Sequence, residues 1–381
     1  MNMRTIKVLL IIICICFFNS VSSFAADNNL SFYTFQTLTD DIAGIPVVDL
    51  MVPNGFVASI TSQWDRLDGN YPGHEVIKIE NSDKSVGIYI YTNESYCEFQ
   101  NKNSFGINIP QKQGPDYKRC ITILNYMDSS AVLEKYMYNL GLNNWKENKS
   151  IPIDNNIQLV FKNEVIEEAN TNFHKIQKIN MMGGNGIQIF LKDVKFDKAK
   201  KQYIFDKSYA ETSTSVKSVT MTMGNKLMET QATAWEIRYL ILFKAKNKEL
   251  FDKYYSTYKM VLANSRIRPE FYFLNLKIKE LFEKNSLENL YHIPPISQIA
   301  QKELATNFYE DSIYKQAITL SDREMKLWND CIKDLKVYKS LDGRFINSSM
   351  NKEKIAQKGE TFFIGKKTDI PKGFKLLSKA K

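Results

Sequence analysis

In residues 74–80 and again in 86–92 apolar side chains return at every second position, a period that lets an extended strand cover one face against a core. In VGIYIYT, Val86, Ile88 and Ile90 point one way and Tyr89 and Tyr91 the other, and HEVIKIE over 74–80 alternates in the same manner. Asn81-Ser82-Asp83 between them supplies turn chemistry. Upstream, IPVVDLMV leads through Pro53-Asn54-Gly55 into FVASI, so residues 42–92 read as strands joined by tight turns, with a further strand at CITIL, 120–124. A second run, IQLVFKNEVIE, HKIQKIN, GIQIFLK, SVTMTM and WEIRYLILF, has mixed alternation and polar connections. This is the pattern of an antiparallel sheet with one covered face.

Helices interrupt the strands at a different period. Val132, Leu133, Tyr136, Met137 and Leu140 form one stripe over about 130–140, with Asp128 or Ser129 to cap its start and Gly141 to stop it. Residues 248–262 place Leu250, Phe251, Tyr254, Tyr255, Tyr258, Val261 and Leu262 on one side. Pro269 marks a break, after which Phe271, Leu274, Ile278, Leu281 and Phe282 make a stripe that ends before Pro294-Pro295. A helix is expected over about 297–320, and Ser321-Asp322-Arg323-Glu324 reads as a capping box opening another. The last forty residues return to short strands: KVYK, the Asp342-Gly343 turn, RFIN, and TFFIG after Lys358-Gly359.

The resulting fold class is α+β: an antiparallel sheet packed with amphipathic helices, followed by a helical segment and a small β tail. The boundaries are a signal peptide over 1–25, an α+β domain over 26–268, a helical segment over 269–335 and a small basic β tail over 336–381.

The leader rests on order. Arg4 and Lys7 precede an apolar run from Val8 to Phe18, and SVSSFAA follows, with Ser23 and Ala25 at −3 and −1 of a cleavage site. The run is shorter than the roughly twenty residues of a spanning helix, so cleavage is favoured over an uncleaved anchor. Ile13 and Ile15 before Cys14 and Cys16 argue against lipid attachment, which wants a small residue there. No later segment has eighteen consecutive apolar residues, so the mature chain is expected to be exported, to the periplasm or the medium, with peripheral membrane contact at most.

Charge narrows the partners. Removing Arg4 and Lys7 with the leader takes the formal +9 to +7, and nearly all of it lies in 351–381, where nine Lys face Glu353, Glu360 and Asp369. Only 8 of the 51 basic residues are Arg, the residue suited to bidentate phosphate reading, and an exported chain is a poor fit to nucleic acid. A lysine-rich tail of this kind suits an anionic surface, lipid or cell-wall polymer.

Three cysteines follow the leader. Cys97 and Cys120 enclose 22 residues, and a disulfide there would contribute about 3 kcal/mol. Cys331 sits with Leu327, Trp328, Ile332 and Leu335 on an apolar helical face. With no paired CxxC spacing, no metal site or cofactor is expected.

Residues 30–270 resemble a PsbP-like domain, the α/β/α sandwich of the photosystem II extrinsic subunit and its bacterial relatives. IPVVDLMVPNGF resembles that family's strand–Pro–turn–strand entry, with Phe56 where the family usually has Trp, and FDKYYSTYKMVLANSRI resembles its closing helix. The resemblance implies a partner-docking or assembly module and carries over no catalytic residue. WNDCIKDLKVYKSLDGRFINSS resembles small tail modules of bacterial envelope proteins, without an implied activity.

Local signatures of catalysis are scarce. No HExxH or GxSxG occurs. His74 and Glu75 are adjacent, and neighbours on a strand point to opposite faces. His174 reads as a surface strand residue and His292 as a helix-end residue. Asp40 and Asp41 read as a polar turn. Gly183-Gly184-Asn185-Gly186 joins two strands and reads as a hairpin, lacking the Lys-Ser/Thr of a phosphate loop. Tyr89 and Tyr91, with Tyr96, could line a ligand groove.

The expected function is that of an exported, non-catalytic envelope protein that binds a protein partner or an anionic envelope polymer through Lys366, Lys367, Lys372, Lys375, Lys379 and Lys381. One alternative is a small-molecule or lipid carrier with a groove between sheet and helix. The other is a secreted hydrolase, which requires two or more of His74, Asp40, Asp41 and Glu75 to meet in one cleft.

Overall fold

The computed structural model describes residues 32–64, 72–102, 108–109, 111–116, 121–139, 144–151, 162–163, 165–167, 169–171, 174, 188–224, 229–284, 294–305, 308–329, 336–348 and 354–380. The leader, Cys120, Cys331, His292, Lys381 and the glycine loop at 183–186 lie outside these residues.

The fold is α+β and dominated by antiparallel sheet. Its largest sheet is built on three long strands, β11 (Gln188–Phe205), β12 (Ser208–Gly224) and β13 (Glu229–Ala245). β5 (Val86–Tyr91), β4 (Gly73–Asn81) and β3 (Phe56–Trp64) continue it on one side, and β10 (Lys146–Ser150) closes the other. The first half of β13 pairs with β6 (Glu94–Lys102), which carries β7 (Asn108–Ile109) and β9 (Ile121–Ile123), with β8 (Gly114–Asp116) on β9. β5 and β6 thus lie in line along β13, separated by Thr92 and Asn93.

The alternation expected around Val86–Tyr91 is realised. Ile77, Ile79, Val86, Ile88 and Ile90 join the main core together with Tyr239, Ile241 and Phe243 of β13. That core is shared with α2 (Lys248–Ala263) and α3 (Pro269–Lys284). Asn247 caps α2, its side chain accepting from Leu250 N at 2.8 Å. Phe243 stacks parallel on Tyr258 at 4.7 Å between centroids and lies 5.0 Å from Phe251. On the other face, Val132 and Leu133 of α1 (Ser129–Asn139) meet Val216, Trp235, Ile237 and Leu240. Asp128 caps α1 through Ala131 N at 2.8 Å, while Ser129 donates to Asp197.

A second sheet joins the two ends of the described chain. Its order is β14 (Arg266–Ile267), β2 (Pro46–Pro53), β1 (Phe32–Thr39), β18 (Thr361–Gly365), β17 (Lys354–Lys358) and β19 (Lys375–Leu376). Phe32 stands opposite Phe363, and Tyr33 opposite Phe362 on one side and Pro53 on the other. β2 reads as a continuous apolar run because both its faces are covered: Val48, Leu50 and Val52 enter the main core, and Met51 a second one with Tyr33, Met260 and Phe362. A third sheet, β16 (Phe345–Ser348), β15 (Lys336–Lys339) and β20 (Ser378–Lys379), contributes Tyr338 and Ile346 to this second core. The end of α2 locks onto it: Asn264 Nδ2 donates to Asn347 O at 2.9 Å and Asn347 N returns a bond to Asn264 Oδ1 at 2.8 Å. Residues 336–380 therefore form no free-standing tail, because β18 pairs with the first strand of the chain.

Several local expectations change. The described part of IQLVFKNEVIE is helical, not extended: Lys162, Asn163, Val165, Ile166 and Glu167 are helical, as are Ala169, Asn170, Thr171 and His174. Val165 and Ala169, one turn apart, share a cluster with Val194 on β11, with Ile166 and Val219 beside it. KAKKQY and SYAETSTS, read as connections, are paired strand, because their backbone bonds run the length of β11 and β12 across a turn with Asp206 at φ 51°. Pro269 opens α3 rather than merely ending what precedes it. Ser321 starts no helix. The helical segment divides into α4 (Ile296–Leu304) and α5 (Ser312–Asn329), and Ser321 lies inside α5. Its hydroxyl donates to Ile267 O and accepts from Arg266 Nε, which uses it for packing instead of capping.

Candidate functional site

Lys366 precedes a short 3-10 turn that Lys367 opens, Lys372 occupies the next turn, and Lys375 and Lys379 lie on β19 and β20, the outermost strands of their sheets. All five are exposed. Val337, Leu341, Phe345 and Leu376, from the same region, are among the exposed large apolar side chains, with Phe345 65% exposed. Lys339 faces Phe345 directly across β15 and β16. The backbone beneath is fixed: Leu377, between the two lysine-bearing strands, is buried in the second core and its N–H donates to Ile355 O at 2.8 Å. Lysines on edge strands also block edge-to-edge sheet growth.

Asp40 follows β1 directly, and Glu75 lies on β4. Asp40 is fully buried and folds its turn around itself, accepting from Ile42 N at 2.6 Å and Ala43 N at 3.1 Å with Oδ1, and from Trp64 Nε1 at 2.6 Å with Oδ2. Glu75 is buried on β4 and accepts from Ser62 Oγ at 2.6 Å with Oε2, while Oε1 has no hydrogen-bond partner. Burial pushes its carboxyl up to about 8, the Ser62 bond opposes that, and the negative charges of Asp40 and Asp41 add to it. Asp41 is exposed on the turn. His74 occupies the alternate face of β4, with Nδ1 2.9 Å from Asn93 O. The structure thus brings Asp40 and Glu75 into electrostatic reach, each with its own structural partner, and sends His74 elsewhere.

The three tyrosines face α1 and the sheet side it covers. Tyr89 is buried with Met137, Tyr203, Ala210 and Leu242, and its hydroxyl donates to Glu80 at 2.5 Å. Tyr91 meets Tyr136 edge-on at 5.8 Å. Tyr96 packs on Trp235 at 4.7 Å and donates to Glu94 at 2.5 Å. A groove of about 820 Å³ opens nearby, lined by Trp145, Glu147, Asn148, Ile204, Phe205 and Asp206, with none of the three tyrosines in its lining. Cys97 is half-buried on β6, and its proposed partner Cys120 lies outside the described residues.

Charged side chains on the helix-facing side of β11–β13 escape a sequence reading that follows apolar stripes. Glu236 is bound by Arg238 at 2.8 Å and Lys217 at 3.5 Å. Burial works to raise its carboxyl, but the two positive charges prevail and hold it at about 2. Glu211 is bound by Lys200 at 2.9 Å, Gln202 at 2.9 Å and the Tyr255 hydroxyl at 3.1 Å. The available signal was Lys198, Lys200 and Gln202 at successive even positions of one strand, which places them on one face.

Among the described residues no group of three or more His, Cys, Asp and Glu side chains could hold a metal ion, and no helix is long and apolar enough to cross a membrane. No family model, curated protein or solved structure matches the chain.

Proposed function

We propose that this chain is an exported, non-catalytic envelope protein whose 336–380 region docks on an anionic, phosphate-bearing surface. One observation carries the reading: five exposed lysines and four exposed apolar side chains lie on a sheet region whose backbone is held rigid by β1, β18 and the Asn264–Asn347 bonds. Lysine ammonium groups beside apolar side chains suit the charged boundary of a lipid layer or a phosphodiester polymer. The helices on both faces of the large sheet support the PsbP-like reading of an assembly module, with α1 on one side and α2 and α3 on the other. Asp40, whose two carboxylate oxygens are committed to Ile42 N, Ala43 N and Trp64 Nε1, and His74, which faces away from Glu75, favour docking over the hydrolase alternative.

Deleting residues 366–381 would also remove Leu377 from the second core, so charge substitution is the cleaner test. The full mature chain and a variant with Lys366, Lys367, Lys372, Lys375 and Lys379 changed to Gln are compared by co-sedimentation with vesicles of phosphatidylcholine, with and without phosphatidylglycerol, and by titration with soluble polyphosphate. At about 1 kcal/mol per lysine near an anionic surface, the five changes lower affinity by roughly three to four orders of magnitude, and rising salt weakens binding progressively. Binding to the vesicles alone assigns lipid, and binding to both assigns the phosphate chemistry they share. Absence of binding in both arms, or binding indifferent to the substitutions, overturns the reading.

A further inference from the structure

The helix-facing side of β11–β13 carries an unbalanced buried charge. Lys198 is 6% exposed, and its Nζ has no hydrogen-bond partner among the described residues. Its Nζ lies over the Tyr239 ring, 6.0 Å from the centroid. Ser215 stands directly across from Lys198 in the strand register, is fully buried, and its Oγ also lacks a partner. Tyr239 stands directly across from Ser215. Two polar groups on adjacent strands thus open toward one spot, although buried polar atoms almost always find a partner.

The local charge explains what is missing. Lys198, Lys200, Lys217, Arg238 and Lys259 face this region from β11, β12, β13 and α2, and among the described residues the carboxylates there are Glu211 and Glu236. Glu211 is engaged by Lys200, Gln202 and Tyr255, and Glu236 by Lys217 and Arg238. Glu75, further along the same face, is held protonated at neutral pH by burial and adds no charge. Burial and the like charge of Lys200 lower Lys259 against the pull of Glu211, as expected where cations outnumber anions. A buried ammonium without a counter-charge is strongly disfavoured. The deficit is one of negative charge, and the carboxylates of this face are already bound. Gln202, Tyr255 and Lys259 are each only partly buried, so the edge of the region beside α2 remains open to solvent.

We propose that Lys198 and Ser215 form the floor of a binding site for an oxyanion, the phosphate or carboxylate group of a small molecule, entering between β11 and α2. Lys198 supplies the charge, Ser215 a directional hydroxyl, and Lys259 and Lys200 the surrounding positive field. The site is separate from the lysines of 366–379 and stands whether or not that surface docks.

The test uses the full mature chain in the background where those five lysines are Gln, so that surface binding does not contribute. Thermal unfolding is followed in inorganic phosphate, in acetate and in chloride at matched ionic strength, with isothermal titration of the same ions. The expected result is a saturable rise of about 2 °C or more in phosphate or acetate over chloride. The preferred ion identifies the group. Lys198→Met is expected to fold at least as well in chloride, since an apolar side chain suits an unpaired buried position, and to lose the response. Ser215→Ala, a second variant that leaves the charge in place, is expected to weaken binding several-fold. No response to either ion in the parent, or an undiminished response in both variants, overturns the proposal.

Discussion

Glu75→Gln isolates the cost of a carboxyl buried without a counter-charge. Gln keeps the shape and the acceptor for Ser62 Oγ but cannot ionise. In the folded chain Glu75 titrates at about 8, against an ordinary 4.5. Between those values the unfolded chain has released a proton that the folded chain still holds, so the folded state binds more protons and stability falls as pH rises. The contribution is fully present below about 4.5, declines through the window, and levels off above about 8. At about 1.4 kcal/mol per pH unit the whole span is worth up to about 5 kcal/mol. Urea unfolding of the parent and Glu75→Gln at intervals from pH 5 to pH 9 measures it, because other titrating groups cancel in the difference. The two proteins should be within about 1 kcal/mol at pH 5, and the variant should gain steadily above it. Parallel stability curves would refute the assignment of a buried, protonated carboxyl.

Glu236→Gln leaves Lys217 and Arg238 facing each other without a counter-charge and should cost about 3–5 kcal/mol in urea unfolding at neutral pH. Its pH effect has the opposite sign to that of Glu75: with a folded value near 2, the stabilisation is present above about 4.5 and lost as pH falls toward 2, which an acid titration of the parent against the variant reads directly. Phe243→Ala removes the ring stacked on Tyr258 and beside Phe251 and should cost about 3–5 kcal/mol by the same unfolding assay. Asn264→Ala breaks the bonds that tie α2 to β16 and should cost about 1–3 kcal/mol, with hydrogen exchange accelerated at Asn347 before the amides of β13 respond.

Element by element, legibility followed the range of the interaction that decides each one. Val86–Tyr91 was readable because a strand's face is set by parity within six residues. The stripe of α2 was readable because its stop and start are local, down to the Asn247 cap. The described residues of IQLVFKNEVIE were misread because Val165, with Ala169, becomes a face only against Val194, supplied by a distant strand. The polar stretches of β11 and β12 were misread for a related reason: pairing satisfies their backbone whatever their side chains, so apolar alternation undercounts them. Ser321 matched a capping pattern, yet its hydroxyl is committed to Ile267 and Arg266 across the fold.

At the sites, the exposure of the tail lysines could be inferred from charge density, since nine cations in thirty-one residues cannot all be buried. Alternation also implied that His74 and Glu75 part company. The ionisation of Glu75 could not be inferred, because it depends on Asp40, Ser62 and the depth of the core. Nor could the orphaned Lys198, whose neighbours come from three strands and a helix.

The amino-acid order alone determines which side of each strand and helix is apolar and where its turns fall, because those properties repeat over a few bonded neighbours. Tertiary structure alone decided that Phe32 meets Phe363, that one sheet closes over both ends of the described chain, and that four cations gather around Glu211 and Glu236. Periodicity specifies a face to be covered but not what covers it. Long-range pairing and the field at a buried charge are set by groups far apart in sequence, and these acquire a distance from one another only when the chain folds.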